Sequence, residues 1–164
     1  MNVTSRSRYA LKIMMDFATA PAGELLKRQG IIKRQGVPAK YLDQIMAQLR
    51  RAKIIESVRG RDGGYFLTRP PMEISVWEVF KAVETSMAPV ICVDTEQQCG
   101  YEAGCISHDP WQVIFDTVRA PLEKLTIGDL SRDHADEKKM CPVGGVRECP
   151  PRHLVRLHNQ EVIN

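Results

Sequence analysis

The sequence lacks any apolar run long enough to cross a membrane. None of its 164 residues belongs to a stretch near the roughly 18 to 20 apolar residues that a spanning helix needs. It has no collagen-like repeat and no low-complexity tract, which excludes both of those classes. No nucleotide-binding glycine loop, catalytic triad or second cofactor motif is visible. We therefore expect one globular domain with an appendage, no membrane partner and no enzyme.

The first residues also lack the unbroken apolar segment of a secretory signal. Lys12 and Asp16 interrupt the only stretch that resembles one. Tyr9, Ile13 and Phe17 instead recur every four residues and predict an amphipathic first helix. We expect a mature cytoplasmic protein, in which the five cysteines are better suited to metal binding or redox chemistry than to disulfides.

Charge is divided unevenly along the chain. Residues 1–81 hold 15 basic and 7 acidic side chains, whereas residues 82–164 hold 8 and 13. The first half therefore carries a net charge of +8 and the second a net charge of −5. A basic half of this kind favours contact with a polyanion.

The basic half has the pattern of a helix-turn-helix. Gly36 interrupts a basic stretch, and Pro38 stands where a new helix can begin. Apolar residues then keep helical spacing at Tyr41, Leu42, Ile45, Met46, Leu49 and Ala52. The order helix, glycine turn, helix predicts a second helix that enters the DNA major groove.

A short hairpin is predicted directly after that helix. Residues 54–59 and 65–67 read as strands, joined by a glycine-rich turn over 60–64. A hairpin in this position is typical of the wing of a winged helix. Its tip carries Arg59 and Arg61, which can reach a minor groove.

The remainder of the chain predicts two helices beyond the wing, followed by a short helical turn at Thr126 and Asp129. Ser75 and Glu78 form a capping box before a short helix that should pack on the first one. Asp109 and Pro110 begin a longer helix with a heptad seam for the same helix of a second subunit, at Trp111, Phe115, Val118, Leu122 and Leu125. Pro121 should kink or end that helix.

We expect four segments. They are a winged helix-turn-helix over 1–84, a cysteine-rich loop over 85–108, a dimerisation helix region over 109–131 and a flexible tail over 132–164. The predicted fold is thus mainly α with a small β-hairpin wing and a long dimerisation helix.

The loop presents three cysteines and a histidine. Cys92, Cys99, Cys105 and His108 follow the spacing C-x6-C-x5-C-x2-H. The absence of C-x2-C disfavours thioredoxin-like exchange and paired zinc knuckles. Soft sulfur ligands on a pliable loop suit an iron–sulfur cluster or zinc, and unligated thiols are a third reading.

Three motifs together resemble a known family. They are Tyr41-Leu42-Asp43-Gln44-Ile45, Leu49-Arg50-Arg51-Ala52 and Ser57-Val58-Arg59-Gly60-x-x-Gly63-Gly64-Tyr65, followed by the cysteines. Over about residues 1–130 the sequence is similar to the IscR/NsrR/RirA family of winged-helix transcription regulators. The resemblance implies a homodimer, a cluster in each subunit supplied by iron–sulfur assembly machinery, and DNA affinity that depends on the cluster.

The resemblance also assigns the cluster ligands. Cys92, Cys99 and Cys105 match the family's three cysteines, and His108 lies where IscR-like members place a histidine ligand to a [2Fe-2S] cluster. NsrR-like members take an aspartate from the partner's first helix, and residues 5–9 offer no carboxylate. This favours [2Fe-2S], with [4Fe-4S] as the alternative and zinc less favoured. Two further cysteines lie outside the match, Cys141 and Cys149.

The DNA-contacting residues are inferred from both sources. Tyr41, Gln44 and Arg59 match DNA-contacting positions of IscR-like proteins, and Asp43 stands where glutamate is common, which implies a role in distinguishing operators. The set expected to contact double-stranded DNA is Arg28, Lys33, Arg34, Pro38, Lys40, Tyr41, Asp43, Gln44, Arg50, Arg51, Arg59, Gly60 and Arg61.

We expect a cluster-sensing repressor that responds to iron–sulfur status, nitric oxide or redox stress. One alternative is a winged-helix DNA-binding protein with structural zinc in the cysteine loop. A second alternative is an iron–sulfur redox carrier.

Overall fold

The computed structural model describes residues 4–21, 23–93 and 105–135. The predicted class, mainly helical with one antiparallel hairpin, is confirmed. The elements are α1 (Ser5–Thr19), α2 (Arg28–Gln35), α3 (Ala39–Arg51), β1 (Ile55–Val58), β2 (Gly64–Leu67), α4 (Val76–Val83), α5 (His108–Lys124) and α6 (Ile127–Ala135). Single 3-10 turns at Pro71–Glu73 and Ile91–Val93 precede α4 and follow it.

The helix-turn-helix forms for local reasons that the sequence contains. Thr4 caps α1 by accepting a hydrogen bond from the N–H of Arg6 at 3.0 Å. Gly36 adopts φ 61°, ends α2 and turns the chain into α3. α3 then buries one face, at Leu42, Ile45, Met46 and Leu49.

The hairpin is fastened to the chain that leads into α2. Ile55 pairs with Leu67 and Val58 with Gly64. Tyr65 also exchanges two backbone hydrogen bonds with Leu26, at 2.9 and 3.0 Å. A Cβ on Gly64 would lie 3.0 Å from the carbonyl oxygen of Leu26, so the close approach depends on this glycine. The hairpin is therefore held next to the start of α2.

α4 closes the core over α1 and α3. The capping box is confirmed, since Ser75 Oγ accepts from the N–H of Glu78 and the Glu78 carboxylate accepts from the N–H of Ser75. α4 packs on α1, as predicted, and also on α3. The fully buried side chains at the centre include Ile13, Met14, Ile45, Leu49, Val79 and Val83.

α5 differs from the predicted seam. Phe115 is buried and meets Trp77 of α4 edge to face at 5.7 Å, and Leu122 packs on the same core. Against the predicted seam, Phe115 belongs to the core of this chain and is not free to face a second subunit, and Leu122 is partly covered by the same core. The helix also continues to Lys124, past Pro121, although a proline at this position donates no helical hydrogen bond and crowds the carbonyl four residues earlier.

α6 returns the chain to the core. Thr126 Oγ1 accepts from the N–H of Asp129 at 3.0 Å and begins the short helix that these two residues predict. α6 packs against α1 and the turn at Pro71–Glu73. It ends at Ala135, a few residues beyond the predicted start of the tail at Arg132. Residues 136–164, with Cys141 and Cys149, lie outside the described part of the chain.

Among the helices of the described ranges, none combines the length and apolarity that a bilayer-spanning segment requires.

Candidate functional site

The exposed side of α3 presents a polar and basic surface. Lys40, Gln44, Ala47 and Arg51 succeed one another at helical spacing and are all exposed. The opposite side is buried, so the helix can meet a ligand only through this surface. The N-terminal residues of a recognition helix contact base edges in a major groove, which suits Lys40 and Gln44.

Tyr41 stands at the edge of this surface and contacts a second aromatic ring in a tilted arrangement. Its ring lies 5.8 Å from the ring of Tyr9 on α1, and the Arg8 guanidinium lies 5.3 Å above the Tyr9 ring. Tyr41 stays 40% exposed. This ring contact limits the rotamers of Tyr41 without removing it from the surface.

Two predicted DNA-contacting residues bind each other. Arg28, the first residue of α2, donates from Nε to Asp43 Oδ1 at 2.7 Å and from Nη2 to Asp43 Oδ2 at 2.8 Å. The hydrogen bonds from Arg28 hold the pKa of the Asp43 carboxyl below its usual range. The carboxylate of α3 is therefore charged and already partnered by α2.

Arg34 extends toward α1, and its side chain stays 46% exposed. Its Nε and Nη2 donate to the carboxylate of Asp16 at 2.9 to 3.1 Å, and Asp16 is only 7% exposed. Removing a carboxylate from water requires such a partner. The structure therefore favours a structural role for Arg34 over the DNA contact predicted from the sequence.

The tip of the wing is exposed and basic. Arg59, Gly60 and Arg61 are all exposed, and Gly60 adopts φ 116°. Asp62 is the acidic residue of the tip, and its Oδ1 lies 3.7 Å from the Nζ of Lys27, whose positive charge offsets it. The other exposed residues of the predicted set include Lys33, Pro38 and Arg50. The set thus spans α2, α3 and the hairpin, as a winged helix requires.

Two of the predicted metal-binding cysteines are described, and they lie at the two ends of the loop. Cys92 lies in the turn Ile91–Val93, which packs against α5, and Cys105 lies three residues before His108, the first residue of α5. Both are free, half-buried thiols. Cys99 lies outside the described residues. Within the described ranges no three His, Cys, Asp or Glu side chains converge on a metal site.

The described donors fit a soft metal group. Hydrogen bonds with the side chain and backbone of Ser107 lower the pKa of the Cys105 thiol, with Sγ and Oγ 3.1 Å apart, and so favour the thiolate that binds metals. The Nδ1 of His108 lies 3.2 Å from the Asp109 carboxylate. A carboxylate on one ring nitrogen orients the other, Nε2, as a ligand.

Sequence patterns did not reveal the role of Glu84. Its Oε1 accepts from the N–H and hydroxyl groups of both Thr4 and Ser7 at the start of α1. Burial would raise the pKa of Glu84, but these hydrogen bonds outweigh it and lower the pKa. Glu84 is the residue that follows α4, so it ties α1 to the segment that leads to Cys92.

Comparison with known proteins identifies the family. The family model described as Rrf2, iron-dependent transcriptional regulator, matches residues 3–133. The chain belongs to the Rrf2 family. Members of the Rrf2 family are DNA-binding transcription regulators and not enzymes, which confirms the predicted class of protein.

Individual relatives agree with this assignment. Protein rrf2 of Nitratidesulfovibrio vulgaris is 32% identical over 142 residues, which cover 87% of this chain and 92% of the relative. The HTH-type transcriptional regulator IscR of Escherichia coli O1:K1 / APEC is 33% identical over 132 residues, covering 79% and 80%. The predicted resemblance to IscR-type regulators is therefore confirmed.

Solved structures share the Rrf2 fold. CymR, the global cysteine regulator of B. subtilis, superposes with a TM-score of 0.68 at 25% identity, covering 81% of this chain and 98% of CymR. IscR of T. potens superposes with a TM-score of 0.67 at 24% identity, covering 87% and 94%. These matches confirm the winged-helix architecture with its long helix.

Proposed function

We propose that this Rrf2 protein is a cytoplasmic, homodimeric repressor whose operator affinity depends on an iron–sulfur cluster. The proposed ligands are Cys92, Cys99, Cys105 and His108. This donor set favours [2Fe-2S], and the cell's iron–sulfur assembly machinery is the proposed source. The relevant signals are iron–sulfur status, nitric oxide and oxidation.

One observation carries the proposal. Cys92 and Cys105 are both free thiols. Cys92 lies in the turn Ile91–Val93, which contacts α5, and Cys105 lies just before the start of α5. Cys92 and Cys105 are therefore held on adjoining elements of the fold. Thiols that are free, half-buried and held by packed elements are better suited to bind a metal group than thiols on an unanchored surface segment.

The chain's own residues prepare this site. Ser107 stabilises the thiolate of Cys105, and Asp109 orients the ring of His108. A bound cluster would supply redox- and nitric-oxide-sensitive bonds that join the ends of the loop. Glu84, at the base of the loop, connects the loop to α1, and Tyr9 of α1 contacts Tyr41 of the recognition helix. A conformational change in the loop on loss of the cluster could therefore be transmitted to α3 through these packed elements.

The proposed dimer uses the outer face of α5. Its exposed residues are apolar or small, at Val113, Ile114, Thr117, Ala120 and Pro121, and we name them the α5 outer face. Val113 is 64% and Ile114 49% exposed. An exposed apolar stripe along a long helix suits a second copy of the same helix.

In such a dimer two copies of α3 read successive major grooves. Recognition helices in dimers of this kind lie about 34 Å apart, one turn of the duplex. Lys40, Arg50, Arg51 and Arg61 are exposed cations that would bind phosphates and make binding dependent on salt. Tyr41, Gln44 and Arg59 are the proposed base and groove contacts.

Anaerobic purification followed by absorbance spectroscopy and counts of iron and acid-labile sulfide tests the cofactor. We expect visible absorbance with equal iron and sulfide, and Cys92→Ala should abolish the absorbance and change the affinity for a duplex selected by the protein. Cys141→Ala is the matched control and should leave both unchanged. Zinc without sulfide would replace the proposal with the structural-zinc alternative, and four irons per subunit would point to [4Fe-4S]. Equal DNA affinity with and without the cluster would contradict cluster control.

A further inference from the structure

An acidic side chain stands on the surface that the recognition helix offers to DNA. Asp43 lies one position after Leu42 on α3, next to Gln44 and on the same exposed side as Lys40. Its side chain is 54% exposed. A bare carboxylate at such a place would repel the phosphates on both sides of a groove.

Arg28 occupies this carboxylate from the side of α2. The two parallel contacts, Nε to Oδ1 and Nη2 to Oδ2, use one lone pair on each oxygen and fix the plane of the carboxylate. The remaining lone pairs stay available as acceptors. In a major groove the natural donor for an aspartate is the N4 amino group of cytosine.

The scaffold holds Arg28 in this position. Arg28 begins α2, two residues after Leu26, and Leu26 is hydrogen-bonded to Tyr65 of the wing. The start of α2 is therefore braced against the hairpin. The flat, two-pronged guanidinium matches the carboxylate, and a lysine ammonium could not reproduce that geometry.

We propose that Arg28 is a positioning residue for base recognition that acts through Asp43 and not by binding a phosphate. It neutralises the Asp43 carboxylate and orients it to accept a hydrogen bond from cytosine in the major groove. The inference rests on the DNA-binding part of the proposed function and on α3 as the recognition helix, and it does not depend on the cluster.

A double-mutant cycle on the full-length protein tests the coupling. The probe is a duplex selected by the wild-type protein from a random library, and Kd is measured for wild type, Arg28→Leu, Asp43→Ala and the double variant. Arg28→Leu should weaken binding by about tenfold, because it leaves the carboxylate unpaired in front of DNA, and Asp43→Ala in the same chain should restore most of the loss. Thermal unfolding of Arg28→Leu should stay near wild type, since the pair is exposed.

Lys33→Ala provides the matched control. Lys33 lies on the same helix, is exposed, and its loss changes the charge by the same amount. Its effect should add to that of Asp43→Ala without coupling, because the two side chains share no contact. If Arg28→Leu behaves like Lys33→Ala, additive with Asp43→Ala, then Arg28 is an ordinary phosphate contact and the inference is wrong.

Base-pair scanning of the same duplex supplies a second readout. Arg28→Leu and Asp43→Ala should both relax discrimination at the same base pair, whereas Lys33→Ala should weaken binding equally for all sequences. Relaxation at different base pairs, or none, would overturn the positioning role. Failure of the wild-type protein to select any duplex at low salt would instead contradict the proposed function itself.

Discussion

The carboxylate of Glu84 receives both the backbone N–H and the hydroxyl of Ser7, which joins the end of α4 to the first turn of α1. Ser7 is fully buried, so no water replaces this partner. Thr4, the cap of α1, donates to the same oxygen. One carboxylate therefore fixes the start of the first helix beside the segment that leads to Cys92.

Glu84→Ala should destabilise the protein by roughly 1 to 3 kcal/mol, because it leaves a buried hydroxyl and N–H without an acceptor. Urea unfolding followed by circular dichroism measures the change. Glu73→Ala is the control, since Glu73 is an exposed carboxylate whose loss should stay within about 0.5 kcal/mol. Equal effects at the two positions would show that the contacts to Ser7 and Thr4 contribute nothing.

The same carboxylate predicts a dependence of stability on pH. Burial opposes the charged form of Glu84, but the hydrogen bonds from Ser7 and Thr4 prevail and place its folded pKa below the unfolded value of about 4.3. The charged form therefore stabilises the fold above about pH 4.3, and this contribution disappears as pH falls through the lowered folded pKa.

The difference in unfolding free energy between wild type and Glu84→Gln isolates this contribution, because every other titrating group is common to both proteins. We expect the advantage of wild type to be constant from about pH 7 to 5 and to shrink below about pH 4.3. An advantage that grows on acidification would mean that the folded pKa of Glu84 is raised.

The ion pair between Arg34 and Asp16 should stabilise the fold without contributing directly to DNA affinity. Arg34→Ala should cost roughly 2 to 4 kcal/mol, because it leaves the buried Asp16 carboxylate unpaired, and the half-exposed guanidinium keeps the cost below that of a fully buried pair. Asp16→Asn in the same chain should recover part of the loss in a urea melt.

The recovered double variant then measures DNA binding without the guanidinium. Once it is folded, its Kd for the selected duplex should lie near that of wild type. A stable double variant with strongly weakened, salt-sensitive binding would return Arg34 to the set of phosphate contacts.

Most of the fold was predictable because its signals are local. Gly36 needs a left-handed backbone, Ser75 and Glu78 cap one another, and the apolar spacing of α3 marks its buried face. Each of these acts within a few residues along the chain, so a sequence pattern contains it. The same holds for the hairpin, whose glycine-rich turn lies between two short strands.

The candidate site was less predictable because its partners are distant in sequence. Arg28 and Asp43 are 15 residues apart, Asp16 and Arg34 are 18 apart, and Ser7 and Glu84 are 77 apart. Charge and spacing identified Arg28 and Arg34 equally as surface cations, and only their different partners, Asp43 on α3 and Asp16 on α1, distinguish them. The family resemblance supplied the proposal that the cysteines bind an iron–sulfur cluster, since no local pattern distinguished such a site from a zinc site.

α5 shows why a heptad can mislead. Trp111, Phe115, Val118 and Leu122 have the spacing of a seam, but Phe115 packs on Trp77 of α4 and Leu122 is partly covered by the core of the same chain. The outer face of α5 is turned by about a third of a helical turn from that seam and contains shorter apolar side chains. Spacing alone cannot say which of two adjacent apolar faces meets the protein's own core.

A charge on the α5 outer face should prevent the proposed dimer from forming. Ile114→Glu places a charge on the α5 outer face, where Ile114 is half exposed and lies outside the core cluster. If a second copy covers this face, the charge must be buried unpaired on association, which disfavours the dimer strongly. Sedimentation at micromolar concentrations should show a dimer for wild type and a folded monomer for Ile114→Glu.

Asp116→Lys is the control on the polar side of the same helix. Asp116 is exposed and lies near Gln112, which donates to it at 3.0 Å, so the change reverses a charge away from the outer face. It should leave the dimer intact.

Because two linked recognition helices bind far more tightly than one, Ile114→Glu should also lose affinity for a two-half-site duplex while keeping its weak affinity for a single half-site. A dimer that survives Ile114→Glu would place the subunit contact elsewhere on the protein.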